Sequence, residues 1–433
     1  MRLINTVVLS ALALFLSTVA VACPDITKIP TPENKQGWQQ LERQLSPYLQ
    51  SCLRSSEYFA LYGAAQLHNE KLPDALETLE RALMLNPDNG SALIDYSEAL
   101  FLSGQPIAAL ELNTQLQTRT DLPEHLRPIL QSRAAYWQTF TRRLNHRFGA
   151  QVGYDNNLNG APQLDALTLT LSDQLVELSL DESSKPISGF NTKLHLSSTG
   201  QSQSAESRDY WHVAANTRFS EDQNSDIVQL NAKYSHTLLN ATGEWEWYGD
   251  LSYLHYGGNS LYGATEAGGN YTFIDNTCAP RVGFSAQYQN FPGQQEMNGV
   301  EMQGLMSATC FINNHSVTTE LRSILNVAEN NTRPGQDRQG WEFRTHWLTT
   351  LYQGYVATEF RYTLLDDDST YSSILANGAA RGVTRKSLSL QYIKPINNSL
   401  ALTINLFHQT QKSNIELFQN SDTSIDLGVS LSF

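Results

Sequence analysis

Past residue 22 the chain has no apolar run long enough to cross a bilayer as a helix. Its mean hydropathy of −0.36 likewise argues against a helical membrane protein. Charge is sparse: Asp, Glu, Lys and Arg supply 17% of the residues, and the balance is acidic, −14 overall with a pI near 5.2. An acidic chain lacks the basic footprint of a nucleic-acid binder, so no such partner is expected. Catalytic signatures are missing too. No HExxH, CxxC, P-loop or GxSxG sequence occurs, and the ten His do not fall at ligand spacings. The run Asp366-Asp367-Asp368 reads as solvated loop carboxylates rather than a divalent-cation site. No enzyme, cofactor or metal is expected. Low hydropathy does not exclude a transmembrane barrel, in which every second residue faces water.

Alternation is what the sequence has in quantity. Between Thr423 and the end, Ile425, Leu427, Val429, Leu431 and Phe433 share one face, and Asp426, Gly428, Ser430 and Ser432 share the other. A period of two means a strand with one oily and one wet side. Ending on an outward Phe resembles the closing strand of a bacterial outer-membrane barrel. Such a strand must pair with the first one, because an open sheet edge cannot sit in lipid. The same pattern recurs from His146 onward, for example in Val228-Leu230-Ala232-Tyr234 and Leu400-Leu402-Ile404-Leu406. With less clear segments at 146–155, 261–273 and 299–311, about fourteen strands are expected. Long connections near 156–188, 328–338, 365–384 and 410–422 alternate with short turns such as Asn313-Asn314 and Gln353-Gly354. Trp245, Trp247, Tyr253 and Tyr256 fall toward strand ends, as interfacial girdles do.

Six inward charges stand on three consecutive strands: Glu320, Arg322, Glu342, Arg344, Glu359 and Arg361. They read as an ionic ladder stiffening the wall, the alternative being a charged lining for something that passes. Folding the hairpin about Gln294 sets Cys278 directly opposite Cys310, both with outward parity, which predicts a cross-strand disulfide.

The N-terminus reads as a secretory signal over residues 1–22, with Arg2, an apolar Val7–Val19 stretch and an Ala20-Val21-Ala22 cleavage site. Cys23 either pairs with Cys52, leaving an even cysteine count suited to an oxidising compartment, or is acylated. Residues 23–143 switch to helical spacing, beginning with an expected helix over Gly37–Arg54. From Ser56, the residues Phe59, Tyr62, Gly63, Ala75, Leu79, Ala82 and Pro87 fall where a 34-residue tetratricopeptide repeat wants bulky, bulky, small, small, bulky, small and Pro. A weaker copy starts near Gly90 with Ser97 in place of Gly63, and Leu122 to Tyr136 reads as a covering helix. The short solenoid is either a spacer or a peptide-binding surface. The expected fold is therefore α plus transmembrane β: a tetratricopeptide-like helical domain at 23–143 and an outer-membrane antiparallel barrel of about 14 strands at 144–433.

This pairing of parts resembles the surface lipoprotein assembly modifier family, the outer-membrane translocators of type XI secretion. The most specific stretch is Gln151 to Pro162, QVGYDNNLNGAP, which looks like the opening barrel strand and first loop of that family. The resemblance implies a translocator that helps a client protein, either a lipoprotein or a small soluble haem- or metal-acquisition protein, to reach the cell surface. Its helical domain would lie in the periplasm. Expected partners are that client or surface lipoprotein, outer-membrane lipids and the barrel-assembly machinery. The alternatives are an exopolysaccharide export porin, which should be lined mainly by Lys and Arg, and a passive nutrient porin, which leaves the repeats unexplained.

Overall fold

The computed structural model describes residues 22–172, 174–274 and 277–433, so the expected signal segment, apart from Ala22, lies outside the described residues. The chain divides into two compact units, one ending at Thr141 and the other running Arg142–Phe433. The division falls slightly ahead of the expected residue 144, because sheet pairing already begins with Arg142 opposite Ser202.

Six helices are described in the first unit: α1 (Lys35–Leu45), α2 (Ser56–His68), α3 (Leu72–Leu85), α4 (Gly90–Leu102), α5 (Pro106–Gln117) and α6 (Arg127–Thr141). Their boundaries follow local chemistry. The Ser55 hydroxyl caps α2 by accepting the Tyr58 N–H, the Asn89 side chain caps α4 by accepting the Ala92 N–H, and Pro falls in the first turn of α3 and α5. Two expected helices are corrected. The first stops at Leu45, where Ser46-Pro47-Tyr48 tightens into a 3-10 turn. The last starts at Arg127 instead of Leu122, because Pro123 lies in a non-helical turn.

The hairpin of α2 and α3 buries Phe59, Ala75, Leu79 and Ala82, while Tyr62 is half-buried and stacks on Tyr58. Pro87 lies just past the end of α3. Gly63 is the close-approach point, since a Cβ there would lie 2.6 Å from Leu79 Cγ. Across the same hairpin the buried Ser56 hydroxyl donates to the Ala82 carbonyl at 2.9 Å. Ser97, the counterpart of Gly63, is fully buried and turns its hydroxyl back to the Ile94 carbonyl at 2.8 Å, so its polar atom does not need a distant partner. Cys23 is bonded to Cys52, which leaves no thiol at Cys23 for an acyl chain.

Sixteen strands are described in the second unit. They are β1 (Arg142–Asp155), β2 (Ala166–Leu171), β3 (Gln174–Ser179), β4 (Gly189–Gln203), β5 (Ser207–Ser220), β6 (Ile227–Asn240), β7 (Gly243–Tyr256) and β8 (Asn259–Phe273). After them come β9 (Cys278–Asn290), β10 (Gly299–Ile312), β11 (His315–Ala328), β12 (Arg338–Leu351), β13 (Gly354–Thr370), β14 (Ala380–Pro395), β15 (Leu400–Ser413) and β16 (Asn420–Ser432). Fourteen of them form one closed antiparallel barrel, each pairing with its neighbour in sequence order and β1 closing against β16; β2 and β3 form a separate hairpin.

At the closure Tyr154, Val152, Ala150 and Phe148 stand opposite Ile425, Leu427, Val429 and Leu431. Beyond them His146 and Phe433 exchange backbone hydrogen bonds of 2.9 and 3.0 Å. Leu427 is 52% exposed and its neighbour Asp426 4%, so the wall is apolar outside and polar inside. Cys278 stands opposite Cys310 in the register of β9 and β10, and the two are joined.

Two connections expected to be long are mostly strand. β13 runs to Thr370 and β14 starts at Ala380, while β15 runs to Ser413 and β16 starts at Asn420. Pairing there outlasts the apolar alternation: Asp366 still pairs with Gly382, although its side chain is exposed and polar. The loop expected over 156–188 also holds a hairpin.

The substitution Gly63→Val should destabilise the helical unit by about 2 kcal/mol through overpacking against Leu79. The expected result is earlier thermal loss of 222 nm ellipticity in the full chain with the barrel's gel mobility unchanged. An unshifted melt would mean that the two helices are less closely apposed.

The barrel interior as candidate functional site

The inner wall is built from the alternate residues that the outward apolar face leaves over. On β11, β12 and β13 the ladder forms, but only partly straight across the rungs. Register sets Arg344 opposite both Glu320 and Arg361, so two guanidinium groups face each other. Like charges in that position repel. Both therefore reach along the wall to Glu359: Arg344 contacts it directly and Arg361 donates to it at 3.0 Å. Arg322 donates to Glu320 at 2.9 Å, and Arg344 lies 3.8 Å from the same carboxylate. Glu342 takes Thr363 at 3.1 Å and Arg361 at 4.0 Å. The six charges thus make one diagonal network in which most of the charge is spent on the wall itself.

The same economy holds elsewhere inside. Lys193 reaches across β1 to Asp426 on the closing strand at 2.7 Å. Gly153 permits this, because a Cβ there would lie 2.1 Å from Asp426 Oδ1. Arg281 and Asn270 both donate to Glu246. A cavity of about 460 Å³ remains within the barrel, lined by Arg147, Gln151, Lys193, His195, Asn216 and Arg218 among others.

The stretch Gln151–Pro162 is a clamp. After β1 ends, Asn157 donates to the carbonyls of Ala161 and Ser421, both at 3.0 Å, and accepts the Ala161 N–H at 3.0 Å. Asn159 donates to the Lys185 carbonyl at 2.8 Å. Leu158 is buried, and its carbonyl accepts from Arg218, which also lies 3.5 Å from Asp155. Tyr256 belongs here and not to an outer girdle: its hydroxyl donates to the Asn159 carbonyl at 3.2 Å. Asn157 through Ser421, and Asn159 through Tyr256, tie the first loop to the barrel rim. The turn residues Asn and Gly were the sequence signal for this.

The carboxylate run also resolves into structure. Asp367 is buried and accepts from Arg338 at 2.8 Å and from Arg381 at 3.0 and 3.1 Å. Arg381 is in turn held between the rings of Tyr371 and Phe418, each 4.5 Å away. Sequence reading missed both arginines, because they come from strands whose ends lie beyond the apolar band. In the helical unit, His68 stacks on Trp38 at 4.2 Å, and Arg133 pairs with Glu98. Burial, aided by the Glu98 charge, pushes the nearby Asp95 carboxyl up to about 7.

Removing one member of the ladder should cost more than removing two. Arg344→Met leaves Glu320 and Glu359 short of a partner, and adding Glu359→Gln should restore part of the loss. We expect a coupling of about 1–3 kcal/mol in a double-mutant cycle read from urea unfolding. Strict additivity would show that the two side chains do not interact.

No family model matches the sequence, and no curated protein matches it. Among solved structures the chain is similar to an anion-selective porin from Comamonas acidovorans at 10% identity, covering 67% of this chain and 99% of that one with a TM-score of 0.38. The outer membrane channel DcaP of Acinetobacter baumannii is similar at 8% identity, with coverage of 67% and 97% and a TM-score of 0.38. A bacterial polysaccharide outer membrane secretin is similar at 9% identity, with coverage of 67% and 98% and a TM-score of 0.32. Likenesses this distant assign no cargo. The chain's own geometry gives the conclusion: a closed barrel, apolar outside and polar inside, is built to span a membrane, and the bacterial outer membrane is where such barrels belong.

Proposed function

We propose that this protein is an outer-membrane translocator that assists the secretion or surface display of a specific client protein, a lipoprotein or a small soluble haem- or metal-acquisition protein. The helical unit would receive the client on the periplasmic side. One observation carries the reading: the same chain joins the barrel to a helical unit packed on tetratricopeptide-like positions, with Gly63 against Leu79 at its centre. A passive channel has no use for such a unit, whereas stacked helical hairpins are suited to holding an extended segment of another protein.

The interior supports the same reading. On β11 to β13 the Arg and Glu side chains are paired with one another, so that part of the wall carries neither the basic lining suited to an acidic polymer nor a bare charge of one sign. Fourteen strands enclose more room than an eight-strand barrel, whose interior its own side chains fill. The sequence has no nucleotide-binding motif, and folding of the client at the surface would supply the direction.

A small-solute channel is the second reading, favoured by the cavity lined with Arg147, Lys193, His195 and Arg218. Cells expressing the full chain, or a form lacking residues 24–141, should be compared by protease shaving of surface proteins and by liposome swelling. Loss of one particular surface protein without the helical unit, with sugar permeation unchanged, is the expected outcome. Unchanged surface proteins together with free sugar permeation would contradict the proposal.

A further inference from the structure

The hairpin of β2 and β3 stands apart from the barrel sheet and has one anchored edge and one free edge. On the β2 side, the Thr170 N–H donates to the Ile374 carbonyl at 2.8 Å, Leu169 bridges Leu375, and the Thr170 hydroxyl donates to Asn377 at 2.8 Å. On the β3 side, no strand pairs with it among the described residues. Register shows which backbone groups face outward. Leu180 donates to the Asp165 carbonyl within the hairpin, while Thr170 donates away from it. Pairs with the parity of Asp165 and Leu180 are therefore bonded to each other, and those with the parity of Thr170 and Leu175 point their N–H and C=O outward. Leu175, Glu177 and Ser179 thus present a ready template for one more strand.

Apart from Glu177, nothing blunts that edge. Every residue from Gln174 to Ser179 is exposed, with Leu175 at 71% and Leu178 at 52%, and the strand has no Pro, Lys or bulge of the kind that usually guards an edge. Charge selects the occupant. Residues 163–184 hold five carboxylates, at Asp165, Asp173, Glu177, Asp181 and Glu182, and no Lys, Arg or His. Lys185 answers Asp165 at 3.4 Å and Glu182 at 2.9 Å, and Glu177 has no cation beside it among the described residues. A second copy of this hairpin would bring acid against acid, which is unfavourable across paired strands.

We propose that β3 is a docking edge for an extended, basic polypeptide segment. The segment adds as a further strand by backbone hydrogen bonds, with Lys or Arg on the face of Glu177 and apolar residues on the other face, beside Val176 and Leu178. This rests on the hairpin alone and stands whatever crosses the barrel.

The test uses the full chain in detergent micelles, with a short fluorescent peptide of alternating valine and lysine as the probe. Its partner is the same peptide N-methylated at every second amide, which keeps the charge but cannot pair. The parent peptide should bind, and N-methylation should weaken it by about tenfold or more. Leu175→Pro removes an outward N–H while leaving the bonds between β2 and β3, and should cause a similar loss. Leu175→Val should bind as the native chain does, and Glu177→Lys should weaken binding. A heat-modifiable gel shift checks that every variant retains its barrel. Equal binding of the N-methylated peptide, or native binding by Leu175→Pro, would overturn the proposal. So would a concentration-dependent dimer that Leu175→Pro abolishes, since the edge would then belong to a second copy.

Discussion

The hydrogen bonding of β1 to β16 is the constraint on which the rest of the barrel depends. In hydrocarbon no water is available to satisfy a backbone N–H or C=O, so a sheet can cross lipid only if it has no edge. Here the last strand meets the first from Tyr154 opposite Ile425 down to Arg147 opposite Ser432, and His146 with Phe433 completes the seam. Once the sheet is closed, its outside must be apolar throughout the lipid band. The alternation of each strand then turns the remaining residues inward.

That inward set explains how an acidic, sparsely charged chain can carry so many Arg and Glu side chains in a membrane-spanning wall. A lone half-buried charge is costly, and a network of shared partners lowers the cost. Arg344 and Arg361 face each other yet share Glu359, Lys193 reaches Asp426 beside Gly153, and Arg338 with Arg381 encloses Asp367. At one end the first loop is stitched to the rim by Asn157 bonding to Ser421 and Tyr256 bonding to Asn159. The helical unit obeys a different rule, in which small residues set the distance between helices and Leu79 fills the space that Gly63 leaves.

Much of this was legible in the sequence, and the physical reason is specific. A period of two survives in a single sequence wherever one face must be oily, so strands such as β6 and β15 could be read directly, as could the count of fourteen. The reading failed where lipid stops dictating the pattern. At Asp366 and beyond, β13 keeps pairing after its outer face has turned polar, so a loop was expected there. Tyr256 looked like a girdle residue but points inward to the first loop. The hairpin of β2 and β3 was hidden because Leu and Thr alternate inside a segment whose length and acidity suggest a loop. Parity could set Glu320, Arg344 and Glu359 on one face, but only the register could show that Arg344 faces Arg361 and reaches Glu359 diagonally.

Nitroxide labels placed one at a time along 423–433 of the protein in bilayers test the closed barrel most directly. Labels at Leu427, Val429 and Leu431 should be relaxed by oxygen, which concentrates in lipid, and labels at Ser430 and Ser432 by a water-soluble nickel complex. A strict two-residue alternation between the two is the predicted result. Equal access of the nickel complex to both faces would contradict a lipid-facing wall.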